Sequence, residues 1–483
     1  MNVLYGLRRG ARFFGSNPAS GGLTWSEFYE RAHKRAAYLR ELGIEKGDRV
    51  AAWMLNSHDY LELYWATAIA GVAIVPINTR WHPHDVDFTL ADSEAKALVV
   101  DDVFAARTAE LTRAPRILSE PGHSDAAVSF DEPDPEDLLG LFYTSGTTGG
   151  PKGVMLTHRN LWSHTVYMLQ ASGMTQGVWL HAAPMFHGAD FWSIYAHPVL
   201  GSANLYLPTF DPEKFLYLVQ SERVTDTVIV PTMINMVLNH PSFDGCDLSS
   251  LRHILYGASP MPAPLIELAM RKLPHVRFIQ AYGMTETSPV QVLLQHEDHT
   301  GRRIAAAGRP IPGVEVRVVD FDDRDVPVGQ SGEVIARGET VMKGYWNRPE
   351  ISKEALRGGW MHTGDIGCLD EDGFLYILDR KKDMIKPGGE NVYSPEVESL
   401  ILSHPSVLEA AVIGVPHEKW GEAIRAVVVP RAGHMIEAAE LIAWCRERTT
   451  HFKCPTSVVV ADTLPKGGTG KIQKNVLRER YGS

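Results

Sequence analysis

The sequence predicts an α/β protein with a large N-terminal region, a small β-rich subdomain and a small α+β C-terminal domain. In the first hundred residues, and again from residue 138 to about 290, strand patterns alternate with helix patterns, which is typical of parallel sheets covered on both faces. From residue 308 the chain shows period-two alternation interrupted by Asp and Gly, which predicts a β-rich subdomain. Beyond Ile385, about 100 residues combine helix and strand patterns, enough for a separate domain.

The N-terminal elements follow from capping signals and periodicity. Thr24 and Glu27 form a capping-box pattern that begins a helix, and Gly43 ends it. Residues 119–137, rich in Pro, Asp and Glu, are predicted to be a loop. The segments between are predicted, in order, as strand DRVAAWML (48–55), helix HDYLELYWATAIAG (58–71), strand VAIVPIN (72–78), helix PHDVDFTLADS (83–93) and strand AKALVVDD (95–102).

The C-terminal elements are predicted in the same way. GVEVRVVD (313–320) and SGEVIARG (331–338) alternate like strands. PEVESLILSHP (395–405) and AAELIAWCRERTTHF (438–452) are predicted to be helices, accompanied by short strands.

The composition excludes several classes of protein. A formal net charge of −11 argues against a nucleic-acid partner. The four cysteines show no C-x-x-C spacing, which fits free thiols in a reducing compartment and neither a disulfide framework nor a zinc site. The N-terminus lacks the apolar run of a signal peptide, and the longest apolar stretch, residues 66–77, is shorter than the about 20 residues that span a bilayer. We therefore expect a cytoplasmic protein without an integral membrane segment.

The most informative segment is the loop YTSGTTGGPKG, residues 143–153. It follows the apolar strand LLGLFY, and the segment after it, GVMLTHRNLWSHTVYMLQ (153–170), is predicted to be a helix. A Gly-rich turn between a strand and a helix lets backbone N–H groups face a phosphate, and Lys152 adds a positive charge. The common nucleotide loop G-x-x-x-x-G-K-[ST] does not fit, because Pro151 and Gly153 stand where it has Gly and Ser or Thr. The alternative is a flexible turn without a ligand.

Further strings follow this loop along the chain: PMFH (184–187), GASP (257–260), YGMTET (282–287), HTGD (362–365), DRKKDMIKPGGENVYSPEVE (379–398) and PKGGTGK (465–471). In this order they resemble the motifs of the adenylate-forming (AMP-binding) enzyme superfamily, and in particular its branch of acyl-CoA synthetases and 4-coumarate–CoA ligases. The resemblance covers essentially the whole chain. It implies an AMP-binding N-terminal domain at 1–380, which includes a small β-barrel-like subdomain, and a mobile C-terminal domain at 381–483 with a hinge near Lys382.

The resemblance implies an acid–thiol ligase, an AMP-forming acyl-CoA synthetase. In this family ATP converts a carboxylate to an acyl-adenylate with release of pyrophosphate, and the thiol of coenzyme A then expels AMP. ATP, Mg²⁺ and coenzyme A are the implied cofactors. Because the first step brings an anionic carboxylate to an anionic phosphate, its catalysis depends mainly on positioning and charge neutralisation.

The resemblance also assigns the nucleotide site. Glu286 corresponds to the glutamate that helps to bind Mg²⁺, and Thr285 to the threonine at the α-phosphate. Asp365 corresponds to the aspartate that binds the ribose hydroxyls, and Arg380 to an arginine that reaches the ribose or phosphate. Taken singly, such residues would more often be turn or surface residues, and only the surrounding strings favour a site. The implied ATP- and AMP-binding set is Thr144, Ser145, Gly146, Thr147, Thr148, Lys152, Gly257, Ala258, Ser259, Tyr282, Gly283, Asp365 and Arg380.

The implied catalytic residues are Lys471, Thr285, Glu286 and His187. Lys471 lies in a Gly-rich loop near the C-terminus and corresponds to the lysine that bridges the carboxylate and the α-phosphate. Outside this string, a solvated surface lysine would be the ordinary interpretation.

Coenzyme A is expected at the C-terminal domain. The resemblance implies that Gly388 and Gly389 leave room for the pantetheine arm. Trp420 and Phe452 resemble the aromatic pair that sandwiches the coenzyme A adenine in aryl-CoA ligases, and the alternative is two half-buried core aromatics. Lys453 is the candidate phosphate contact, because a cysteine stands where those ligases carry a basic residue.

The acid is left open by the sequence. The segment PMFHGADFWSIYAH (184–197) is expected to line the acyl pocket through His187, Asp190 and Phe191. His187 stands where amino-acid adenylation domains carry an aspartate, which disfavours an α-amino acid, and Phe191 favours aromatic or short- to medium-chain fatty acids. The alternative function is an acyl-adenylating enzyme that loads a carrier-protein thiol. The oligomeric state is also open, and a homodimer is one alternative.

Overall fold

The computed structural model describes residues 1–119, 122–144, 151–466 and 472–482. None of the helices in these ranges is both long enough and apolar enough to cross a membrane. The α-helices are α1 Leu4–Phe13, α2 Trp25–Glu41, α3 His58–Ala70, α4 Pro83–Ser93, α5 Asp102–Ala105, α6 His158–Ser172, α7 Gly188–Leu200, α8 Pro212–Ser221, α9 Pro231–Leu238, α10 Ala263–Lys272, α11 Pro349–Ala355, α12 Ser394–Leu402, α13 Ala438–Arg446 and α14 Lys474–Tyr481. The strands are β1 Pro18–Ser20, β2 Leu23–Thr24, β3 Arg49–Trp53, β4 Ala73–Pro76, β5 Ala97–Val100, β6 Arg116–Leu118, β7 Leu138–Thr144, β8 Lys152–Thr157, β9 Val178–His181, β10 Ala203–Tyr206, β11 Asp226–Val228, β12 His253–Gly257, β13 Arg277–Tyr282, β14 Val292–Leu294, β15 Arg309–Pro310, β16 Val314–Val319, β17 Gly332–Gly338, β18 Gly344–Tyr345, β19 Met361–Leu369, β20 Leu375–Arg380, β21 Val407–His417, β22 Gly421–Pro430 and β23 Ser457–Val460.

The chain divides into two compact units. The larger consists of Met1–Val316 and Ala336–His362, and the smaller consists of Arg317–Ile335 and Thr363–Ser483. A large N-terminal α/β part and a smaller C-terminal part are therefore confirmed. The predicted domain boundary at residue 380 and the predicted rotation of the C-terminal domain about Lys382 both stay predictions.

The first seven-stranded sheet of the larger unit has the strand order β18-β8-β7-β4-β3-β5-β6. β3 pairs in parallel with β4 and β5, and β4 with β7, which confirms the alternation predicted for this region. Helix α3 is buried at every residue from Tyr60 to Ala70, and its one buried carboxylate in that range, Glu62, is paired with Arg31 at 2.6 Å.

The second seven-stranded sheet has the order β10-β9-β11-β12-β13-β14-β15. Its strands are parallel from β10 to β13, and the last two are antiparallel. The carboxyl ends of neighbouring parallel strands lie at one edge of a sheet. GASP, at the end of β12, and YGMTET, at the end of β13, therefore lie side by side at that edge.

The helix predicted over residues 153–170 is wrong for residues 153–157. These residues belong to β8, which begins at Lys152, pairs antiparallel with β7 and places Thr144 opposite Lys152. Helix α6 begins only after Thr157, whose hydroxyl accepts a hydrogen bond from the Asn160 N–H as part of a capping box. The loop therefore closes a β-hairpin and does not lead into a helix N-terminus.

The C-terminal part contains a four-stranded sheet, β16-β17-β19-β20, and a three-stranded sheet, β21-β22-β23. The four-stranded sheet confirms the predicted β-rich subdomain, and α12 and α13 are the two predicted helices. β21 and β22 have 11 and 10 residues, so they are longer than the short strands predicted. Helix α14 is absent from the prediction, because its sequence KNVLRERY buries Leu477 alone and gives no clear apolar period.

Candidate active site

The carboxyl edge of the second sheet carries two of the predicted nucleotide motifs. Gly257 ends β12, and a Cβ added there would lie 2.1 Å from the carbonyl oxygen of Ala281, so only glycine fits. Ala258 has a φ of +65°. Residues other than glycine rarely adopt this conformation, and those that do are often found at functional sites. A Cβ added to Gly283 would lie 2.0 Å from the carbonyl oxygen of Pro289. This edge therefore has few side chains and suits the close approach of a nucleotide. The other predicted members of the edge are half-buried: Ser259 and Tyr282.

The predicted phosphate loop connects two paired strands. Thr144 lies opposite Lys152 at its base. Tyr143, next to Thr144, donates its O–H to Asp92 Oδ2 at 2.7 Å, and Arg348 donates to Asp92 Oδ1 at 3.0 Å. The base of the hairpin is thus anchored to helix α4. Several predicted site residues lie outside the described residues: Ser145, Gly146, Thr147, Thr148 and Lys471.

The predicted metal ligand Glu286 lies in a short 3₁₀ turn, Thr285–Thr287, directly after β13. Its side chain is buried, and the Tyr345 O–H donates to Glu286 Oε1 at 2.8 Å. The ring of Tyr345 also faces Lys152, whose Nζ lies 5.5 Å from the ring centroid. The structure therefore joins Glu286 and the phosphate-loop lysine through one tyrosine. A carboxylate in this position fits Mg²⁺, which binds one or two carboxylates together with substrate phosphates.

His187 precedes helix α7 beside this turn. A Cβ added to Gly188 would lie 2.7 Å from Pro289 Cβ, so the start of α7 contacts the residues that follow Glu286. The Ala189 N–H donates to His187 Nδ1 at 3.1 Å, and burial lowers the pKa of His187 to about 4. The ring is therefore neutral at pH 7 with its proton on Nε2. His187 is thus a hydrogen-bond donor and carries no charge.

Asp190 and Phe191 are both fully buried. Asp190 accepts hydrogen bonds from Trp179 Nε1 at 3.2 Å and from His181 Nδ1 at 2.7 Å. Phe191 stacks on Phe142 with 4.1 Å between the ring centroids. These bonds give Asp190 a structural role in the core of the larger unit, and its place in the acyl pocket stays a prediction.

In the smaller unit, Asp365 and Arg380 lie opposite each other on β19 and β20. Arg380 Nε is 2.6 Å from Asp365 Oδ1, and the carboxylate is buried while the guanidinium is partly exposed. The structure therefore brings the two predicted ribose residues together, and a charge-assisted hydrogen bond orients the aspartate. Lys382, the predicted hinge residue, follows as an exposed residue.

Two of the predicted coenzyme A residues form one surface. The Gly388 N–H donates to the Trp420 carbonyl at 2.8 Å, and a Cβ added to Gly388 would lie 3.0 Å from the Trp420 ring. Gly388 and Gly389 both have a left-handed φ, +63° and +93°, so glycine is favoured at each. Trp420 is 47% exposed, and Lys419 Nζ lies 4.7 Å from its ring centroid.

Phe452 lies at the same edge of the three-stranded sheet. Trp420 directly precedes β22 and Phe452 precedes β23, and these strands are parallel neighbours. Phe452 is 37% exposed, so neither aromatic behaves as a core residue. Lys453 Nζ lies 2.7 Å from Glu396 Oε1, and a phosphate at Lys453 would have to replace that ion pair.

Two residues that contact the site, Tyr345 and Asp92, are not predicted by the sequence. Tyr345 contacts Glu286 across 59 positions, and Asp92 contacts Tyr143 across 51. The Tyr–Trp pair within KGYWNRPE is a local hint of a buried aromatic, whereas an aspartate near the end of an ordinary helix gives no signal.

Comparison with known proteins decides the family. The sequence profile of the AMP-binding enzyme matches residues 10–346, and that of the AMP-binding enzyme C-terminal domain matches residues 396–471. The chain belongs to the AMP-binding enzyme family.

A relative within the family, feruloyl-CoA synthase of Amycolatopsis sp., is 42% identical over 469 residues, which cover 95% of this chain and 94% of the relative. Long-chain-fatty-acid–CoA ligase FadD13 of Mycobacterium tuberculosis is 37% identical over 482 residues, with 95% and 93% covered. ATP-bound MatB from Rhodopseudomonas palustris has the same fold, with a TM-score of 0.90, 33% identity, and 100% and 99% of the two chains covered. The predicted AMP-binding family and fold class are confirmed.

Proposed function

We propose that this AMP-binding enzyme is an ATP-dependent carboxylate–CoA ligase. It converts an acid, ATP and coenzyme A to acyl-CoA, AMP and pyrophosphate through an acyl-adenylate. The observation that carries the proposal is the 42% identity to a feruloyl-CoA synthase over 95% of this chain. A match of this length includes the regions of both units that hold the predicted site residues.

The residues of the larger unit would bind the acid and the phosphates. The hairpin loop and Lys152 would hold the β- and γ-phosphates, and Glu286, with Thr285 beside it, would hold Mg²⁺ near the α-phosphate. Mg²⁺, when bound, neutralises charge on the phosphate oxygens. His187 supplies a neutral N–H donor beside this turn. It can therefore bind the substrate carboxylate without an ion pair, which would stabilise the ground state of the substrate and slow its reaction.

The residues of the smaller unit would bind ribose and coenzyme A. Asp365, oriented by Arg380, offers a carboxylate that can accept from both ribose hydroxyls. The exposed faces of Trp420 and Phe452 suit stacking on an adenine ring, and the paired Gly388 and Gly389 leave the neighbouring surface open to the pantetheine arm.

For the acid, we propose an aryl or arylpropenoic acid or a short- to medium-chain fatty acid. The names of the relatives include both a feruloyl and a fatty-acyl substrate. Phe191, which the sequence predicts in the acyl pocket, stacks on Phe142, and an aromatic residue in the pocket would favour a planar or apolar acyl group over a charged one.

The test is a panel of acids given to the purified protein with ATP and Mg²⁺. The panel contains benzoate, 4-coumarate, ferulate, hexanoate, octanoate and palmitate, each without a thiol, with coenzyme A, and with a phosphopantetheinylated carrier protein. We expect AMP release to rise with coenzyme A for an aryl or fatty acid, and the thioester to be detected by mass spectrometry. A rise with the carrier protein alone would favour the carrier-loading alternative, and no rise with either thiol would contradict a ligase.

We further propose a cytoplasmic location. The four cysteines Cys246, Cys368, Cys445 and Cys454 are all free thiols, which supports a reducing compartment.

A further inference from the structure

We propose that Tyr345 is a positioning residue for adenylation: its hydroxyl orients the Glu286 carboxylate toward the metal, and its ring holds the Lys152 ammonium beside the phosphates. The inference rests on the proposed function, because it needs Mg²⁺ and ATP at this site. Tyr345 belongs to the segment KGYWNRPE, for which the motifs imply no role.

The bond between Tyr345 and Glu286 is buried. The O–H donates to Oε1 at 2.8 Å, and the two residues are 8% and 6% exposed. In such surroundings water cannot readily replace the donor, so the bond sets the direction of the carboxylate. Groups that orient a metal ligand typically change metal affinity by roughly 10- to 100-fold when they are removed.

The second contact concerns the charge at the phosphates. Lys152 is the first residue of β8, and its Nζ lies 5.5 Å from the Tyr345 ring centroid, within the about 6 Å over which a cation is attracted to an aromatic face. The ring attracts the ammonium without adding a negative charge. The field that Lys152 presents to a triphosphate is therefore preserved.

The backbone around Tyr345 explains why one side chain reaches both groups. The Trp346 N–H donates to the Gly153 carbonyl at 2.8 Å, and the Met342 N–H donates to the Glu286 carbonyl at 2.9 Å. This short segment is thus bonded both to the strand that follows the phosphate loop and to the turn that holds the metal ligand. A shift of either element would be transmitted to the tyrosine between them.

The decisive variant is Tyr345→Phe, which keeps the ring and removes the hydroxyl. We expect the Mg²⁺ concentration for half-maximal adenylation to rise about 10-fold or more. Mn²⁺ affinity, measured by electron paramagnetic resonance with a nonhydrolysable ATP analogue, should fall by the same factor. Thioester formation from synthetic acyl-adenylate and coenzyme A should keep its wild-type rate, because that step does not use the metal–pyrophosphate complex. Tyr345→Leu should, in addition, weaken binding of the analogue without metal, because Lys152 loses the ring.

A matched control is Tyr376→Phe, which removes another tyrosine-to-carboxylate bond, from Tyr376 to Asp370 Oδ2 at 3.1 Å. It should leave Mn²⁺ affinity unchanged. Unchanged Mn²⁺ affinity in Tyr345→Phe, or equal loss of both half-reactions, would overturn the inference and leave the ligase assignment standing. A wild-type protein that fails to bind the Mn²⁺–analogue complex would instead overturn the proposed function together with the inference.

Discussion

Burial keeps several described histidines of the larger unit neutral, among them His158, His164 and His187. Burial lowers the pKa of His158 and His187 to about 4 and that of His164 to about 3. His164 is 0% exposed, and its Nε2 accepts a hydrogen bond from the Val290 N–H at 3.2 Å. A proton on Nε2 would break that bond and leave a buried charge without a partner, so the fold requires the neutral ring.

We expect acid to destabilise the protein through His164, and His164→Gln to reduce this effect. The unfolded chain protonates this histidine near pH 6.5, whereas the folded chain does so at about pH 3. Between these values the unfolded state binds more protons, so stability is lost as the pH falls through 6.5. The loss from His164 is about 2 kcal/mol between pH 7 and pH 5. Urea unfolding at both pH values should show a difference smaller by about this amount in the variant.

The control for this prediction is His84→Gln, since the His84 side chain is 86% exposed. It should keep the wild-type difference between pH 7 and pH 5. If His164→Gln loses as much stability as the wild type on acidification, burial of His164 is not a source of the acid sensitivity.

Whether the sequence predicts a site residue depends on how local its signal is. Glu286 and Asp365 lie in short strings that resemble motifs of the AMP-binding enzymes, and that resemblance assigns their roles. Tyr345 reaches Glu286 across 59 positions, and no local pattern reports such a contact. Asp190 is expected in the acyl pocket from its place in the chain, but its bonds to Trp179 and His181 depend on packing that only the structure shows.

Among the elements, the predictions succeed where a cap or an apolar run determines the structure. The capping box at Thr24 and Glu27 begins α2, and α4 has the predicted bounds Pro83–Ser93. Residues 153–157, the start of the predicted helix, form a short and mainly apolar segment that fits a helix or a strand, and their pairing with β7 makes them a strand. Short apolar segments are ambiguous in this way, because periodicity alone does not separate the two.

The β7–β8 hairpin should be sensitive to Gly153→Ala. A Cβ there would lie 2.9 Å from Cζ of Tyr143, whose hydroxyl is bonded to Asp92. The ring cannot retreat without losing that bond, so the hairpin must shift. We expect unfolding free energy to fall by about 1–3 kcal/mol and the KM for ATP to rise several-fold, because the neighbouring Thr144–Lys152 pair is the base of the phosphate loop. Urea unfolding and steady-state ATP titration measure the two effects.

Gly245→Ala is the control for the hairpin, because no described heavy atom outside its immediate chain neighbours lies within 4 Å of a Cβ added there. It should change neither stability nor the KM for ATP appreciably. If Gly153→Ala matches it in both measurements, the hairpin tolerates the extra atom and the Tyr143–Asp92 bond does not constrain it.

At the scale of the whole molecule, the predicted site residues are divided between the two units. The larger unit holds His187, Glu286 and the ends of the phosphate loop, and the smaller unit holds Asp365, Arg380 and the coenzyme A residues. The charge is also uneven, since the whole chain has a net charge of −11 while residues 452–483 carry six Lys or Arg and two Asp or Glu. A basic C-terminal segment in an acidic protein suits polyphosphate ligands.

The two half-reactions should therefore respond differently to changes in the C-terminal part. Lys471, which lies outside the described residues, is predicted to serve adenylation, whereas Gly388 and Trp420 are predicted to serve thiol transfer. We expect Lys471→Ala to slow acyl-adenylate formation by roughly 100- to 1000-fold, because a cation is lost where negative charge develops. Conversion of synthetic acyl-adenylate and coenzyme A to the thioester should stay near the wild-type rate. Pyrophosphate release and single-turnover thioester formation measure the two steps.

Lys466→Ala provides the control in the same loop, since Lys466 forms a partly exposed ion pair with Glu409 at 2.6 Å. Such pairs contribute little, so both half-reactions should continue at nearly the wild-type rate. If Lys471→Ala slows the two half-reactions equally, the lysine does not act in adenylation alone. The predicted mobile C-terminal domain with its hinge near Lys382 would then lose support, because movement of Lys471 away from the site after the first step requires Lys471 to be dispensable once the adenylate has formed.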